Sequence, residues 1–213
     1  MKVARFEFNL FGVNTYVVWD PDTMEAAVVD PGMENPDECE KFKQFIERER
    51  LQVTSLINTH LHIDHTLGND YVKTAFDVGL TANPGDDFLG KTRGEQAAAF
   101  HLRNTDLPPV HIDIEVKDGD KLMVGNGELK VITVPGHSPG SIALYSEKDG
   151  FVITGDALFA GSIGRTDLPG GDHSTLLNAI RTKLFTLPDA TVVLPGHGPD
   201  TTIGAEKKSN PFF

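Results

Sequence analysis

Cysteine is almost missing from this sequence, Cys39 being the only one in 213 residues. An intrachain disulfide is therefore excluded. Cys39 falls in Pro36-Asp37-Glu38-Cys39-Glu40-Lys41, the first turn of an expected helix. Its acidic neighbours disfavour the thiolate, which makes it a poor nucleophile. Long apolar runs are missing as well, and none approaches the length that spans a bilayer. The N-terminal stretch from Met1 to Phe8 shows no apolar signal core and no cleavage site. The expectation is a cytoplasmic protein with no membrane partner. Basic clusters are also lacking: the densest pair is Lys207-Lys208, within a net charge of −12. Such a surface repels phosphate backbones, so no nucleic acid partner is expected. There is no low-complexity tract, obvious linker or short-period repeat.

What is present is ordinary for a globular chain, with 39% hydrophobic and 23% charged residues. The length suffices for one domain with a sizeable core, so residues 1–213 are expected to form a single domain. Val3 to Phe8 alternates, Thr15 to Trp19 is β-branched and aromatic, and Glu25 to Val29 runs into Asp30-Pro31-Gly32. These read as strands, with Asn14 and Asp20-Pro21-Asp22 as turn chemistry between them. Asn35-Pro36 opens a helix to about Arg50, with Phe42, Phe45 and Ile46 on one face. Further strands are expected at Val53 to Asn58, Leu129 to Val134, Ile142 to Ser146, Phe151 to Thr154 and Thr191 to Leu194. A second helix is expected over Ser174 to Leu184. This alternation predicts an α/β layered domain. Residues 83–113 mix Gly, Ala, Phe and Pro and read as a helical or irregular lid between the two halves.

The chemistry is concentrated in histidine. Of eight histidines, His60, His62 and His65 fall within six residues, together with Asp64. The cluster directly follows the Val53 to Asn58 run, where α/β sheets collect ligands. Crowded imidazoles without a metal would repel once protonated, so the pattern points to metal ions. Three later loops each follow a strand and set a donor beside small residues. They carry His137 in Pro135-Gly136-His137-Ser138-Pro139-Gly140, Asp156 in Thr154-Gly155-Asp156-Ala157 and His197 in Pro195-Gly196-His197-Gly198. Small neighbours let the backbone approach an ion closely. Seven ligands divide into His60, His62 and His137 for one ion and Asp64, His65 and His197 for the other, with Asp156 bridging. Each ion keeps an open position, as catalytic sites do. Imidazole and carboxylate without thiolate suit two divalent ions, zinc first, with iron or manganese as alternatives.

His60-x-His62-x-Asp64-His65, followed in order by His137, Asp156 and His197, resembles the metallo-β-lactamase superfamily over nearly the whole chain. The resemblance implies an αββα sandwich, α+β in some schemes, of two βαβ-like halves with the metal site at one sheet edge. The run Asp156-Ala157-Leu158-Phe159-Ala160-Gly161-Ser162-Ile163-Gly164-Arg165 is similar to the glyoxalase II branch, the hydroxyacylglutathione hydrolases. The family's cationic glutathione contact, nine residues after the bridging Asp, is matched by Arg165. Two family tyrosines are replaced, by Asp167 and Pro199. The chain ends about 16 residues after His197, so the family's C-terminal helical domain is not expected.

Other residues carry lesser expectations. Asp30 either orients a ligand histidine or forms a turn. Arg165 either pairs with Asp167 and braces the loop, or contacts a substrate carboxylate. Ser138 and Ser141 are expected in loop hydrogen bonds. His101, His111 and His173 are expected on the surface or lid, with His173 next to the helix-cap residue Asp172.

The expected reaction is hydrolysis of (hydroxy)acyl thioesters such as S-lactoylglutathione by a metal-bound hydroxide, with Asp64 and Asp156 as the catalytic carboxylates. A thiolate leaves without a general acid, because its parent pKa is only about 8.5. The alternative is a mononuclear-iron persulfide dioxygenase using His60, His137 and Asp156. A lactonase or phosphodiesterase is weaker still.

Overall fold

The segment Val13–Trp19 is buried at all seven positions. A strand of this kind needs apolar cover on both faces. The computed structural model, which describes residues 1–213, provides it with two six-stranded sheets packed face to face and helices on both outer sides.

The first sheet runs β1 (Lys2–Phe8), β2 (Val13–Trp19), β3 (Glu25–Val29), β4 (Gln52–Ile57), β5 (Leu80–Ala82) and β6 (Ile114–Glu115), in that order. Strands β1 to β3 are antiparallel neighbours, whereas β3 to β6 pair in parallel. The second half contributes β7 (Lys121–Val124), β8 (Gly127–Thr133), β9 (Ile142–Ser146) and β10 (Phe151–Gly155). A small ribbon of β11 (Leu158–Phe159) and β12 (Ser162–Ile163) follows, then β13 (Val192–Pro195) and β14 (Thr201–Thr202). The order in the second sheet is β14-β13-β10-β9-β8-β7.

Helix α1 (Pro36–Glu49) connects β3 to its parallel neighbour β4. Helices α2 (Ile63–Thr66), α3 (Asn69–Phe76), α4 (Asp87–Lys91) and α5 (Arg93–Ala99) come after β4, and α6 (His173–Thr182) connects β10 to its parallel neighbour β13. Helix α7 (Ile203–Ser209) ends the second half. These two parallel crossovers are the expected βαβ-like halves, and the four layers are the expected αββα sandwich.

Side-chain alternation explains the layering. Along β2, Tyr16 and Val18 enter the layer between the sheets, with Ala27, Val29, Leu144 and Ile153. Val13, Val17 and Trp19 point the other way, toward Phe42 and Ile46 of α1. Strand β9 does the same, with Ile142 and Leu144 inward and Ala143 and Tyr145 against Leu176 and Ile180 of α6. A one-residue slip would exchange the two sets, so register is strongly specified. Helix α1 starts where expected: Asn35 Oδ1 accepts from Glu38 N at 3.0 Å and Pro36 fills the first turn.

Residues 83–113 hold a short helical turn at Pro84–Asp86, then α4, α5 and an irregular return. Arg93 of α5 fastens this segment. It is fully buried and donates to Thr66 O (2.9 Å), Pro108 O (3.0 Å) and Asp70 Oδ2 (2.9 Å). One sequence expectation is corrected here. Asn14 is no turn residue but a buried position of β2, paired across to Glu7. No helix is long and apolar enough to cross a membrane.

Candidate metal centre

The strand ends of both sheets meet at one edge. Strand β4 stops at Ile57 and leads into Thr59 and His60, while β10 and β13 stop just before Asp156 and His197. Backbone bonds hold these ends together. Ile142 N donates to Thr59 O (2.8 Å), Gly196 N to Gly155 O (2.8 Å) and Asn14 N to Gly196 O (2.7 Å). The side chain of Asn14 donates to Pro195 O and Gly198 O, both at 2.9 Å, and Tyr16 OH donates to Pro195 O at 2.8 Å. The His197 loop is thus hung from β2. Gly196 is required for close approach: a Cβ there would stand 2.1 Å from Asp156 Oδ1 and 2.8 Å from His65 Cε1.

All seven residues singled out from the sequence converge at this edge. His137 Nε2 lies 3.3 Å from His60 Nε2 and 2.8 Å from His62 Nδ1. His65 Nε2 lies 3.3 Å from His197 Nε2 and 3.7 Å from Asp64 Oδ2, which is 3.2 Å from His197 Nε2. Two triads result, His60-His62-His137 and Asp64-His65-His197. Asp156 reaches both, at 3.3 Å from His65, 3.5 Å from His197 and 3.6 Å from His137.

These donors suit divalent ions. Two nitrogens on a tetrahedral ion at the usual Zn–N distance stand about 3.3 Å apart, as His60 and His137 do. Three of the outward nitrogens are occupied elsewhere. His137 Nδ1 faces Arg165 O (2.7 Å), His197 Nδ1 faces Phe11 O (3.1 Å) and His60 Nδ1 faces Thr59 Oγ1 (3.1 Å). A proton on each outward nitrogen leaves the Nε2 lone pairs facing one another. Asp156 Oδ1 is buried without a hydrogen-bond partner. Buried polar atoms in that condition are costly unless a cation shares them.

The electrostatics differ across the centre. His60 is held well below its ordinary pKa by burial first and by His65 and His137 second. His62 is pushed down to about 3, by burial and by His137. At His65 burial opposes the charged form, but Asp156, Asp64 and Asp30 outweigh it and raise the value well above the ordinary one. Asp156 is the converse: burial opposes its charge, yet His65 and its neighbours lower its pKa. His60 and His62 are therefore neutral bases, and the carboxylates gather around the second triad. Three carboxylates in one buried cluster are what divalent cations neutralise.

Asp30 is an orienting residue rather than a simple turn former. Its φ of 50° is left-handed, a conformation that Asp tolerates better than most residues. Its Oδ1 accepts from Thr59 N (2.7 Å), and its Oδ2 accepts from Thr59 Oγ1 (2.6 Å) and lies 3.1 Å from His65 Nδ1. Arg165 and Asp167 form a two-pronged pair, with both contacts at 2.7 Å. Its guanidinium is thus engaged, although Arg165 also borders the metal cavity. Ser138 and Ser141 bond each other at 2.7 Å. His101, His111 and His173 are exposed. Asp172 caps α6 by accepting from Thr175 N (2.7 Å).

Asp86 escaped the sequence reading. It is 1% exposed, and burial raises its pKa. It accepts from Leu61 N (3.1 Å), Ser138 Oγ (2.7 Å) and Gly140 N (2.6 Å). Leu61 stands between His60 and His62, and Ser138 follows His137, so one carboxylate ties both loops of the first triad. The Asn83-Pro84-Gly85-Asp86 run signals a turn; nothing local signals those distant partners. Asp86→Ala strands three buried donors. It is expected to destabilise the fold by about 2 kcal/mol or more and to weaken metal retention. Thermal melts and metal content check this, and wild-type values for both would refute the role.

The cavity over the cluster measures about 190 Å³. Asp64, Asp156, His62, His137, His197 and Arg165 form its polar surface, and Phe11, Ile63, Phe100 and Leu168 its apolar surface. Phe11 and Phe100 meet edge to face at 5.7 Å.

Comparison with known proteins agrees with this geometry. The family model of the metallo-beta-lactamase superfamily matches residues 8–197. The chain is 39% identical over 216 aligned positions to "Hydroxyacylglutathione hydrolase GloC" of Haemophilus influenzae, covering all of this chain and 98% of that protein. Among solved structures it is similar to BLEG-1 B3 metallo-beta-lactamase, with a TM-score of 0.84 and 33% identity over 99% of both chains. It is also similar to TTHA1623 in a di-iron-bound form, with a TM-score of 0.86 and 32% identity over 99% of this chain and 100% of the other. With the fold, the order of the donors and these likenesses in agreement, the chain belongs to the metallo-β-lactamase superfamily.

Proposed function

We propose that this protein is a two-metal hydrolase of thioesters. The observation that carries the reading is the position of Asp156, within 3.6 Å of imidazoles from both triads. His60, His62 and His137 would hold one ion, Asp64, His65 and His197 the other, and Asp156 would serve both. Zinc and iron both suit this donor set, and the likeness to a di-iron protein keeps iron in view. Ions bound there would supply Lewis acidity, acidifying water and polarising an acyl carbonyl.

The chain's own residues do the rest. Asp64 is partly open to the cavity, its side chain 16% exposed, where it can orient a water and hold its proton. Asp30 and the Phe11, Thr59 and Arg165 backbone and side-chain oxygens keep the imidazoles turned inward. Phe11, Phe100 and Leu168 exclude bulk water, and residues 83–113 cover the bound substrate. The cavity offers no further acid for a leaving group, since Arg165 is committed to Asp167. A thiolate needs none.

Support for a glyoxalase II-like substrate comes from the GloC likeness. Asp167 and Pro199 replace two tyrosines of that family, so glutathione is expected to be weakly preferred. Metal-loaded protein should hydrolyse glutathione, coenzyme A and N-acetylcysteamine thioesters within about a hundredfold of one another in kcat/KM, about 2.7 kcal/mol. Absence of thioester turnover with both zinc and iron, alongside oxygen uptake with a persulfide or hydrolysis of a lactone, would overturn the reading.

A further inference from the structure

A second cavity, of about 380 Å³, adjoins the one over the metal cluster. Both are bordered by His62, Phe100 and Leu168, so they share a wall. Its walls are apolar: Phe88 and Leu89 of α4, Ala99 of α5, Phe100 and the Leu168-Pro169 pair across the gap. Phe88 is 39% exposed, a large apolar ring partly open to solvent.

The polar residues here are turned on the protein itself. Thr92 Oγ1 donates to Phe88 O at 3.0 Å. Gln96 Nε2 donates to Leu89 O at 2.8 Å, and its Oε1 accepts from Ile63 N at 3.1 Å. Each thus has a bond to the protein's own backbone. The only charged lining residue is Glu95, and no cation borders the pocket. An anionic group would find no partner there and would face a like charge. Glutathione and coenzyme A carriers are anionic, whereas an acyl group can be neutral and apolar.

We infer that this pocket holds the acyl group of the substrate, and that it takes neutral aliphatic or aromatic acyl chains. The inference rests on the thioester reading above and specifies its substrate class. Burial of each added methylene in such a pocket strengthens binding about fourfold. Ala99 is exposed on the pocket wall, so a larger side chain can fill the space without entering the core.

The test uses metal-loaded full-length protein and a series of N-acetylcysteamine thioesters from acetyl to octanoyl. A parallel calorimetric titration uses the corresponding S-(2-oxoalkyl) thioethers, which lack the scissile bond. Both kcat/KM and affinity should climb about fourfold per methylene. In Ala99→Phe the climb should stop at shorter chains, and Phe88→Ser should make it shallower. Acetyl and octanoyl compounds within twofold of each other in both measurements would overturn the inference and leave the thioester reading intact. Affinity that climbs with chain length while no thioester is hydrolysed would overturn the thioester reading and keep the apolar subsite.

Discussion

Asp156→Asn is expected to remove most bound metal and to lower thioester hydrolysis at least a thousandfold, about 4 kcal/mol of barrier. The substitution keeps the shape and removes the charge. At neutral pH the residue is ionised, because His65 and its neighbours lower its pKa despite burial. Its two oxygens face different partners, Oδ1 toward His65 and Oδ2 toward His137 and His197. Loss of this one charge therefore weakens both triads, which a residue serving a single ion would not do. Metal content per chain and kcat/KM, measured with a melt to show folding, decide the matter. A folded variant with full metal and wild-type turnover would refute the bridging role.

Asp64→Asn should have a smaller and more local effect. Asp64 Oδ2 lies 3.2 Å from His197 Nε2 and 3.7 Å from His65 Nε2. It belongs to the second triad alone, so the first should keep its ion while the second loses much of its own. Hydrolysis should fall at least tenfold, about 1.4 kcal/mol. In a mononuclear dioxygenase built on His60, His137 and Asp156, this carboxylate would be a bystander. Unchanged oxygen uptake with a persulfide by the variant, with one iron retained, would favour that alternative.

Long buried elements were legible in the sequence because burial on a strand or helix writes a period into it. The β-branched run of β2, the alternation of β1 and the Asn35-Pro36 start of α1 are local signals. The converging donors were legible for a similar reason. His60, His62, Asp64 and His65 are neighbours in sequence, and the Pro-Gly-His and Gly-Asp loops mark the remaining donors. Shorter elements were not. Strands β5 and β6 have three and two residues, too few to show a period. They exist because β4 offers an edge to β5, and β5 one to β6. Helix α7 carries Glu206, Lys207 and Lys208 and buries only Ile203 and Glu206, so its apolar signal is weak. The residues that hold the centre in place were the least legible. Asn14 resembles a turn residue until β13 brings Pro195 and Gly198 beside it. Asp86 resembles one until the fold brings Leu61, Ser138 and Gly140 to its carboxylate. Asp30 could be read both ways, because its approach to His65 depends on where β3 and β4 end.

Seven side chains that form one two-ion centre fix the number of ions this protein binds. Wild-type protein, purified without chelators and then saturated with zinc or iron, should carry two ions per chain by elemental analysis. Both should be lost together with thioester hydrolysis on chelation, and restored together. One ion per chain at saturation, with no second ion under any loading and no thioester hydrolysis, would show that the seven side chains do not form a two-ion centre.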